Sequence, residues 1–193
     1  MGADPLEEDS PPLKVRAFFG LPLPDVHREA LAQYLAACAA AAPDFRWTSP
    51  ANLHLTVRFI GTVERSIVDV IADRLSGRPL AGFELALGAI GTFKRGPLVR
   101  VVWLQVRSGS DAAGELAARV EAECVQAGLE PEPRPFQPHL TLARARPREG
   151  APLPPLASRP DLPPWRTGEL ILYRSHLGRA GSVYEPLRIL RLS

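Results

Sequence analysis

The sequence has few of the features that indicate a metal site, a disulfide or a membrane segment. Its two cysteines, Cys38 and Cys124, both fall within predicted helices, where buried free thiols are the expected state. No Cys/His spacing of the metal-binding type surrounds them. No apolar run is long enough to span a bilayer, and the acidic, Pro-rich start lacks the regions of a secretory signal. We therefore expect a cytoplasmic protein with a disordered tail at 1–12 and a single bilobal domain at 13–193.

Lysine is also scarce. Lys14 and Lys94 are the two lysines among 23 basic residues, so nearly all the positive charge is carried by arginine. The planar guanidinium fork suits phosphate. However, the chain is rich in Ala, Pro, Gly and Leu, and such a bias accounts for arginine without any special site. The net charge of +2 is too small to indicate a nucleic-acid partner by itself.

Apolar periodicity and the positions of Pro and Gly predict an α+β fold with the element order β-α-β-α-β-β-α-β-β-β. Strands are expected near 15–24, 53–60, 83–93, 98–106, 136–145, 168–177 and 184–193, and helices near 25–42, 63–77 and 111–127. Adjacent strands joined by short turns favour antiparallel hairpins over a parallel sheet.

The tripeptide His-Leu-Thr occurs twice, in ANLHLTVRFIG and in PFQPHLTLAR, nearly half the chain apart. With four histidines in the chain, random placement would give about 0.1 His-x-Thr pairs. Side chains alternate across a strand, so His54, Thr56 and Arg58 are expected on one face, as are His139 and Thr141. The repeat predicts two pseudo-symmetric lobes, each an antiparallel sheet with helices, around a central cleft to which each lobe contributes one strand.

A cleft with two facing imidazoles can supply an acid and a base in one turnover, since histidine exists in both forms near neutral pH. Threonine hydroxyls can donate to phosphate oxygens, and an arginine can hold the developing charge. This set suits in-line hydrolysis of a phosphodiester, especially a strained cyclic one. Because the motifs are nearly symmetric, the residues alone do not say which histidine is the acid.

Other interpretations of the histidines have less support. A metal site built on His54 and His139 lacks an Asp, Glu or Cys at ligand spacing. His27, in the first turn of a helix, is expected at the surface, and His176 is expected to have a structural role. Phe18 and Phe19 lie on opposite faces of a strand, so at most one of them can face the cleft.

These motifs resemble those of the 2H phosphoesterase superfamily, and within it the bacterial and archaeal RNA 2′,3′-cyclic phosphodiesterases, also called 2′-5′ RNA ligases. The similarity covers almost the whole chain after the tail. It includes the first strand RAFFGLPLP, the two His-Leu-Thr segments, the central hairpin and the C-terminal segment with the pattern L.LY.S.L...G..Y.PL. The second motif with its following arginine, PHLTLAR, is the most specific part.

The resemblance implies a bilobal α+β fold and opening of a terminal 2′,3′-cyclic phosphate to a 2′-phosphomonoester without metal or cofactor. It also implies a weak, ATP-independent reverse reaction that joins RNA ends through a 2′-5′ link. Carried over by position, His54 is the proton donor and His139 the proton acceptor. Thr56 and Thr141 bind phosphate oxygens, and Arg144 holds the charge. Arg144 has the wrong parity to share a flat strand face with His139, so a strand end or a bulge must re-aim it.

Two other functions stay open on the sequence alone. One is hydrolysis of small nucleotides, such as a cyclic phosphate derived from ADP-ribose or a 2′-5′ oligonucleotide. The other is a non-catalytic module that binds RNA or a nucleotide in the same cleft. In each case the expected partner is an RNA end or small nucleotide, and the expected state is a monomer.

Overall fold

The computed structural model of the protein describes residues 13–178 and 181–193. The predicted tail at 1–12 and the tip of the last hairpin lie outside the described residues. Three α-helices lie within these ranges, close to their predicted bounds: α1 (Asp25–Ala41), α2 (Arg65–Ser76) and α3 (Ser110–Gln126). α1 begins at Asp25 after Pro24, which occupies the cap position, and it ends shortly before Pro43.

The strands are β1 (Lys14–Pro22), β2 (Phe45–Trp47), β3 (His54–Glu64), β4 (Glu84–Arg95), β5 (Leu98–Ser108), β6 (His139–Ala145), β7 (Trp165–Arg166), β8 (Glu169–Gly178) and β9 (Gly181–Arg191). A 3-10 turn at Pro50–Asn52 leads into β3. The two shortest strands, β2 and β7, were not expected from the sequence, because two or three residues are too few to show alternation.

The strands form one continuous sheet with the order β7-β4-β5-β6-β3-β1-β8-β9. The short strand β2 is outside this order and pairs with the end of β6. All pairings between these named strands are antiparallel. In one half of the sheet, β6 is followed by its neighbours β5 and β4. In the other half, β3 is followed by its neighbours β1 and β8. The predicted α+β class and its two pseudo-symmetric lobes are thereby confirmed, as two halves of a shared sheet.

The helices cover one face of this sheet. α2 and α3 contact β3, and α1 packs beside β2. Apolar side chains of the inner strands, including Phe19, Leu55 and Leu140, are fully buried beneath them. Cys38 in α1 and Cys124 in α3 are buried free thiols, as expected. Among the described residues, no helix is long and apolar enough to cross a membrane.

Candidate active site

The two His-Leu-Thr segments are brought side by side at the centre of the sheet. β3 and β6 pair at a single position, Leu55 with Leu140. A cavity of about 430 Å³ is lined from both strands, by His54 and Thr56 on one side and by Thr141 and Arg144 on the other. This volume is in the range of small-molecule sites. In the antiparallel register about this pair, each histidine lies across from the threonine of the other motif.

Each motif is followed by a β-bulge at the same relative position. Along β6, Trp103 pairs with Thr141 and Val102 pairs with Ala143, so Leu142 is the extra residue. Leu142 and Ala143 are both fully buried. The alternation is therefore reversed after the bulge, and Arg144 returns to the cavity. The bulge at Leu142 therefore explains why Arg144 faces the cavity, although strict alternation would point it to the opposite face of the sheet.

β3 has the equivalent bulge at Val57, because Gly20 pairs with Thr56 and Phe19 pairs with Arg58. The predicted placement of Arg58 beside His54 and Thr56 is therefore wrong. Arg58 turns to the helical side, where its guanidinium pairs with Glu121 of α3 and lies 3.5 Å from Glu132.

Phe59 takes the place in the cavity wall that Arg58 was expected to hold. Phe59 follows Thr56 by the same number of residues as Arg144 follows Thr141. The pseudo-symmetric site therefore has a phenyl ring on one side and a guanidinium on the other.

Each motif histidine is oriented by a hydrogen bond to the backbone carbonyl two residues before it. Nδ1 of His54 lies 2.8 Å from the carbonyl oxygen of Asn52, and Nδ1 of His139 lies 2.8 Å from that of Gln137. A carbonyl only accepts, so each ring carries its proton on Nδ1 when neutral. Nε2 of each ring is then available for proton transfer, and Nε2 of His54 lies 3.0 Å from the Thr56 hydroxyl, which donates to it.

His54 is enclosed by aromatic rings. The centroid of its ring is 4.6 Å from that of Phe18, 5.2 Å from that of Tyr184 and 6.1 Å from that of Tyr173. This burial lowers the pKa of His54 to about 4, and the positive charges of Arg144 and His139 lower it further against the opposing effect of the Asn52 carbonyl. At physiological pH His54 is therefore a neutral imidazole.

His139 lies beside the cavity and contacts a different aromatic pair, the edges of Phe93 and Trp103, at centroid distances of 5.3 and 5.9 Å. Burial lowers the pKa of His139 below its ordinary value, and the charge of Arg144 acts in the same direction. Burial also lowers the pKa of the Arg144 guanidinium. Trp103 is half-buried and helps to form the site.

The loops beside the motifs hold the cavity wall in place. The Asn52 side chain donates to the carbonyl oxygen of Ser182 at 2.6 Å, which ties the start of β3 to β9. Gly20 lets β1 approach the His54 ring, since an added Cβ there would lie 3.1 Å from His54 Cδ2. Neither residue has a sequence signature that marks it as part of a site.

Arg16 on β1 also lines the cavity and was not expected from the sequence. Its guanidinium lies over the Phe59 ring, with Cζ 4.5 Å from the centroid. Its Nε is buried and has no hydrogen-bond partner among the described residues. A cation–π contact of this kind contributes roughly 0.5–1 kcal/mol, whereas an unpaired buried donor costs about 1–3 kcal/mol. The aromatic contact alone therefore does not offset the burial of this side chain.

The other two histidines lie outside the cavity. The expected surface position of His27 is wrong, because His27 is 2% exposed. Its Nε2 lies 2.7 Å from the Pro163 carbonyl oxygen, and its ring packs on Trp165. His176 is exposed and lies 2.8 Å from Glu185. Among the described residues, no group of three or more His, Cys, Asp or Glu side chains is arranged to hold a metal ion.

The arrangement matches a known family. The sequence model of the 2′-5′ RNA ligase superfamily matches residues 23–179. A protein of Methanothermobacter thermautotrophicus named RNA 2′,3′-cyclic phosphodiesterase is 31% identical over 93% of this chain and 100% of its own length. A protein of Escherichia coli with the same name is 31% identical over 90% of this chain and 94% of its own.

Solved structures agree with the sequence comparisons. The crystal structure of Escherichia coli LigT complexed with 3′-AMP has a TM-score of 0.78 and 26% identity to this chain. The alignment covers 94% of this chain and 99% of the LigT chain. The predicted resemblance to this family is thus confirmed, and the chain belongs to the 2′-5′ RNA ligase superfamily.

Proposed function

We propose that this protein is an RNA 2′,3′-cyclic phosphodiesterase, which opens a terminal 2′,3′-cyclic phosphate to a 2′-phosphomonoester. The observation that carries the proposal is the pairing of the two His-Leu-Thr strands around one cavity, with Arg144 aimed into it by the bulge at Leu142. The relatives named for this activity support it, since they match nearly the full length of the chain. A cytoplasmic, monomeric protein stays a prediction.

In the proposed mechanism His139 is the base and His54 is the acid. Nε2 of His139 takes a proton from water, the water oxygen attacks phosphorus, and the bond from phosphorus to the 3′ oxygen breaks. Nε2 of His54 gives its proton to the departing 3′ oxygen. The product keeps its phosphate on the 2′ oxygen, and exchange with solvent returns both rings to their starting states.

Thr56, Thr141 and Arg144 would hold the non-bridging phosphate oxygens during this displacement. Two hydroxyls and one guanidinium can stabilise the charge that accumulates on these oxygens in the transition state. Arg144 suits this role, because it forms no ion pair with a carboxylate within 13–178 and 181–193. Its full charge is therefore available to the substrate.

The same geometry would permit the ATP-independent joining of two RNA ends through a 2′-5′ link. If the 5′ hydroxyl of a second RNA replaces water as the nucleophile, the displaced 3′ oxygen leaves in the same way. The two RNAs are then joined through a 2′-5′ link. No ATP is needed, because the strained cyclic ester supplies the activated phosphate. We expect ligation to be weak, since water is far more concentrated than any RNA end.

The test uses a short RNA ending in a 2′,3′-cyclic phosphate, with excess EDTA and phosphorus NMR to identify the product. We expect a 2′-monoester, at a rate that His54→Ala and His139→Ala each lower by at least about a hundredfold. His176→Ala is the matched control, because this exposed histidine lies outside the cavity. It should keep the rate of the unmodified protein.

The other outcomes distinguish the remaining functions. A 3′-monoester would keep the two-histidine chemistry but contradict the assignment of His54 to the 3′ oxygen. Turnover of small cyclic nucleotides without turnover of RNA would favour the small-nucleotide hydrolase. Binding of RNA with no product from either substrate would identify a non-catalytic module.

A further inference from the structure

Arg16 is a second guanidinium in the cavity that has no partner of its own. Within the described residues it forms no side-chain hydrogen bond and no ion pair, and its Nε is buried. Arg58, two residues beyond Thr56 on the neighbouring strand, differs in having Glu121 and Glu132 against its guanidinium. The unpaired state of Arg16 is therefore a feature of the cavity wall, where a ligand could supply the missing acceptor.

Along β1, the backbone of Arg16 lies well beyond the level of Thr56. Arg16 pairs with Thr62, whereas Gly20 pairs with Thr56. Four residues of strand separate the two levels by about 13 Å. Its guanidinium lies over the Phe59 ring. The cavity therefore carries two cations, Arg16 from β1 and Arg144 from β6.

Ser175 adds a hydroxyl beside Arg16. The β1–β8 pairing ends at Ala17 with Arg174, and Arg16 and Ser175 are the next residues of the two antiparallel strands. Ser175 is 8% exposed and lines the same cavity. A guanidinium with an adjacent hydroxyl is a donor set that suits phosphate oxygens.

We propose that Arg16 and Ser175 form a second phosphate subsite, which binds the phosphodiester on the 5′ side of the terminal nucleotide. This inference rests on the proposed function, because a cyclic phosphate at Thr56 and Thr141 fixes where the next anionic group of an RNA must lie. An RNA end has such a group, whereas a nucleoside 2′,3′-cyclic phosphate has none. Arg16 is accordingly a residue that selects RNA ends over small cyclic nucleotides.

The test compares two substrates that differ in one group. The first is adenosine 2′,3′-cyclic phosphate with a 5′ hydroxyl, and the second carries a 5′-methylphosphate with the single charge of an RNA linkage. For the unmodified protein we expect kcat/KM to be about 10- to 100-fold higher on the second, as for hydrogen bonds to a charged group. Arg16→Gln should reduce this ratio to near one, and Arg16→Lys should keep part of it.

Arg174→Gln is the matched control. It removes the same charge from the neighbouring strand, outside the residues that line the cavity, and it should keep the ratio of the unmodified protein. Circular dichroism and the melting temperature establish that each variant is folded. An unmodified protein that treats both substrates alike would overturn the proposal. So would an Arg16→Gln variant that loses the same factor on both, because Arg16 would then act on the cyclic phosphate or the base.

Failure of the proposed function has a different signature, namely no turnover of either substrate. The subsite is then tested by calorimetry with adenosine 2′-monophosphate, with and without the 5′-methylphosphate. Tighter binding of the second ligand that Arg16→Gln abolishes would support the subsite without the activity. Equal binding of both ligands would reject it.

Discussion

Protonation of His54 provides a direct test of its proposed role as the acid. Its pKa of about 4 corresponds to about 3 kcal/mol against the charged ring, compared with an ordinary histidine. At pH 6.5 only about one molecule in 300 would carry the proton. An acid must be protonated in the complex, so the bound phosphate has to restore those 3 kcal/mol through its negative charge. Binding of the anion should therefore take up a proton.

The assay is titration calorimetry of adenosine 2′-monophosphate at pH 6.5 in buffers with different ionisation enthalpies. We expect the unmodified protein to take up at least about half a proton more than His54→Gln, since the titration of the ligand itself is common to both. Proton uptake strengthens binding as the pH falls. The affinity of the unmodified protein should consequently weaken more steeply than that of the variant between pH 6 and 8.

Equal proton uptake by the two proteins would refute this reasoning. His54 would then be neutral in the complex and could not give a proton to the 3′ oxygen. The acid and base roles of His54 and His139 would have to be exchanged, or the acid sought elsewhere in the cavity. His176→Gln controls for an effect of histidine content, because His176 is exposed and paired with Glu185 outside the cavity.

Four further outcomes follow from the site and its surroundings. Arg144→Gln should lower kcat/KM for the cyclic substrate by about a hundredfold or more, and Lys at this position should restore only part of it, because it lacks the planar fork. Gly20→Ala should lower kcat by about tenfold with little change in melting temperature, since the new Cβ would lie 3.1 Å from His54 Cδ2. Glu121→Gln should reduce the free energy of unfolding by about 1–3 kcal/mol in urea titrations while kcat/KM stays within about threefold, because Arg58 points away from the cavity. Activity should be the same with EDTA as with added Mg²⁺, and a loss in EDTA would contradict the two-histidine mechanism.

The sequence was sufficient to predict the helices and long strands, because their apolar periods are strong and Pro or Gly marks their ends. It was also sufficient to predict that the two His-Leu-Thr motifs share one cleft, because a repeated tripeptide can be recognised without knowing the fold. It could not show the bulges at Val57 and Leu142, because one extra residue in a strand leaves no compositional trace. The error at Arg58 comes from the bulge at Val57, as strict alternation fails beyond it.

Contacts between distant segments account for the other differences. His27 was expected at the surface because the first turn of a helix is usually exposed. However, the segment before β7 packs over it, and Pro163 in that segment accepts a hydrogen bond from it. Arg16 looked like one of many arginines until β1 was placed beside Phe59. The carbonyl groups of Asn52 and Gln137 orient the histidines through the backbone, which no side-chain pattern reveals.

The two motifs are identical in sequence but not in their surroundings, and this difference decides what each histidine can do. His54 is enclosed by Phe18 and the two tyrosines, whereas His139 meets only the edges of Phe93 and Trp103. The equivalent bulges then place a phenyl ring after one motif and a guanidinium after the other. A symmetric pair of imidazoles would exchange roles freely. Unequal burial, and an arginine at one of the two equivalent positions and a phenylalanine at the other, remove that symmetry, so the neighbours of the motifs, rather than the motifs themselves, must assign acid and base.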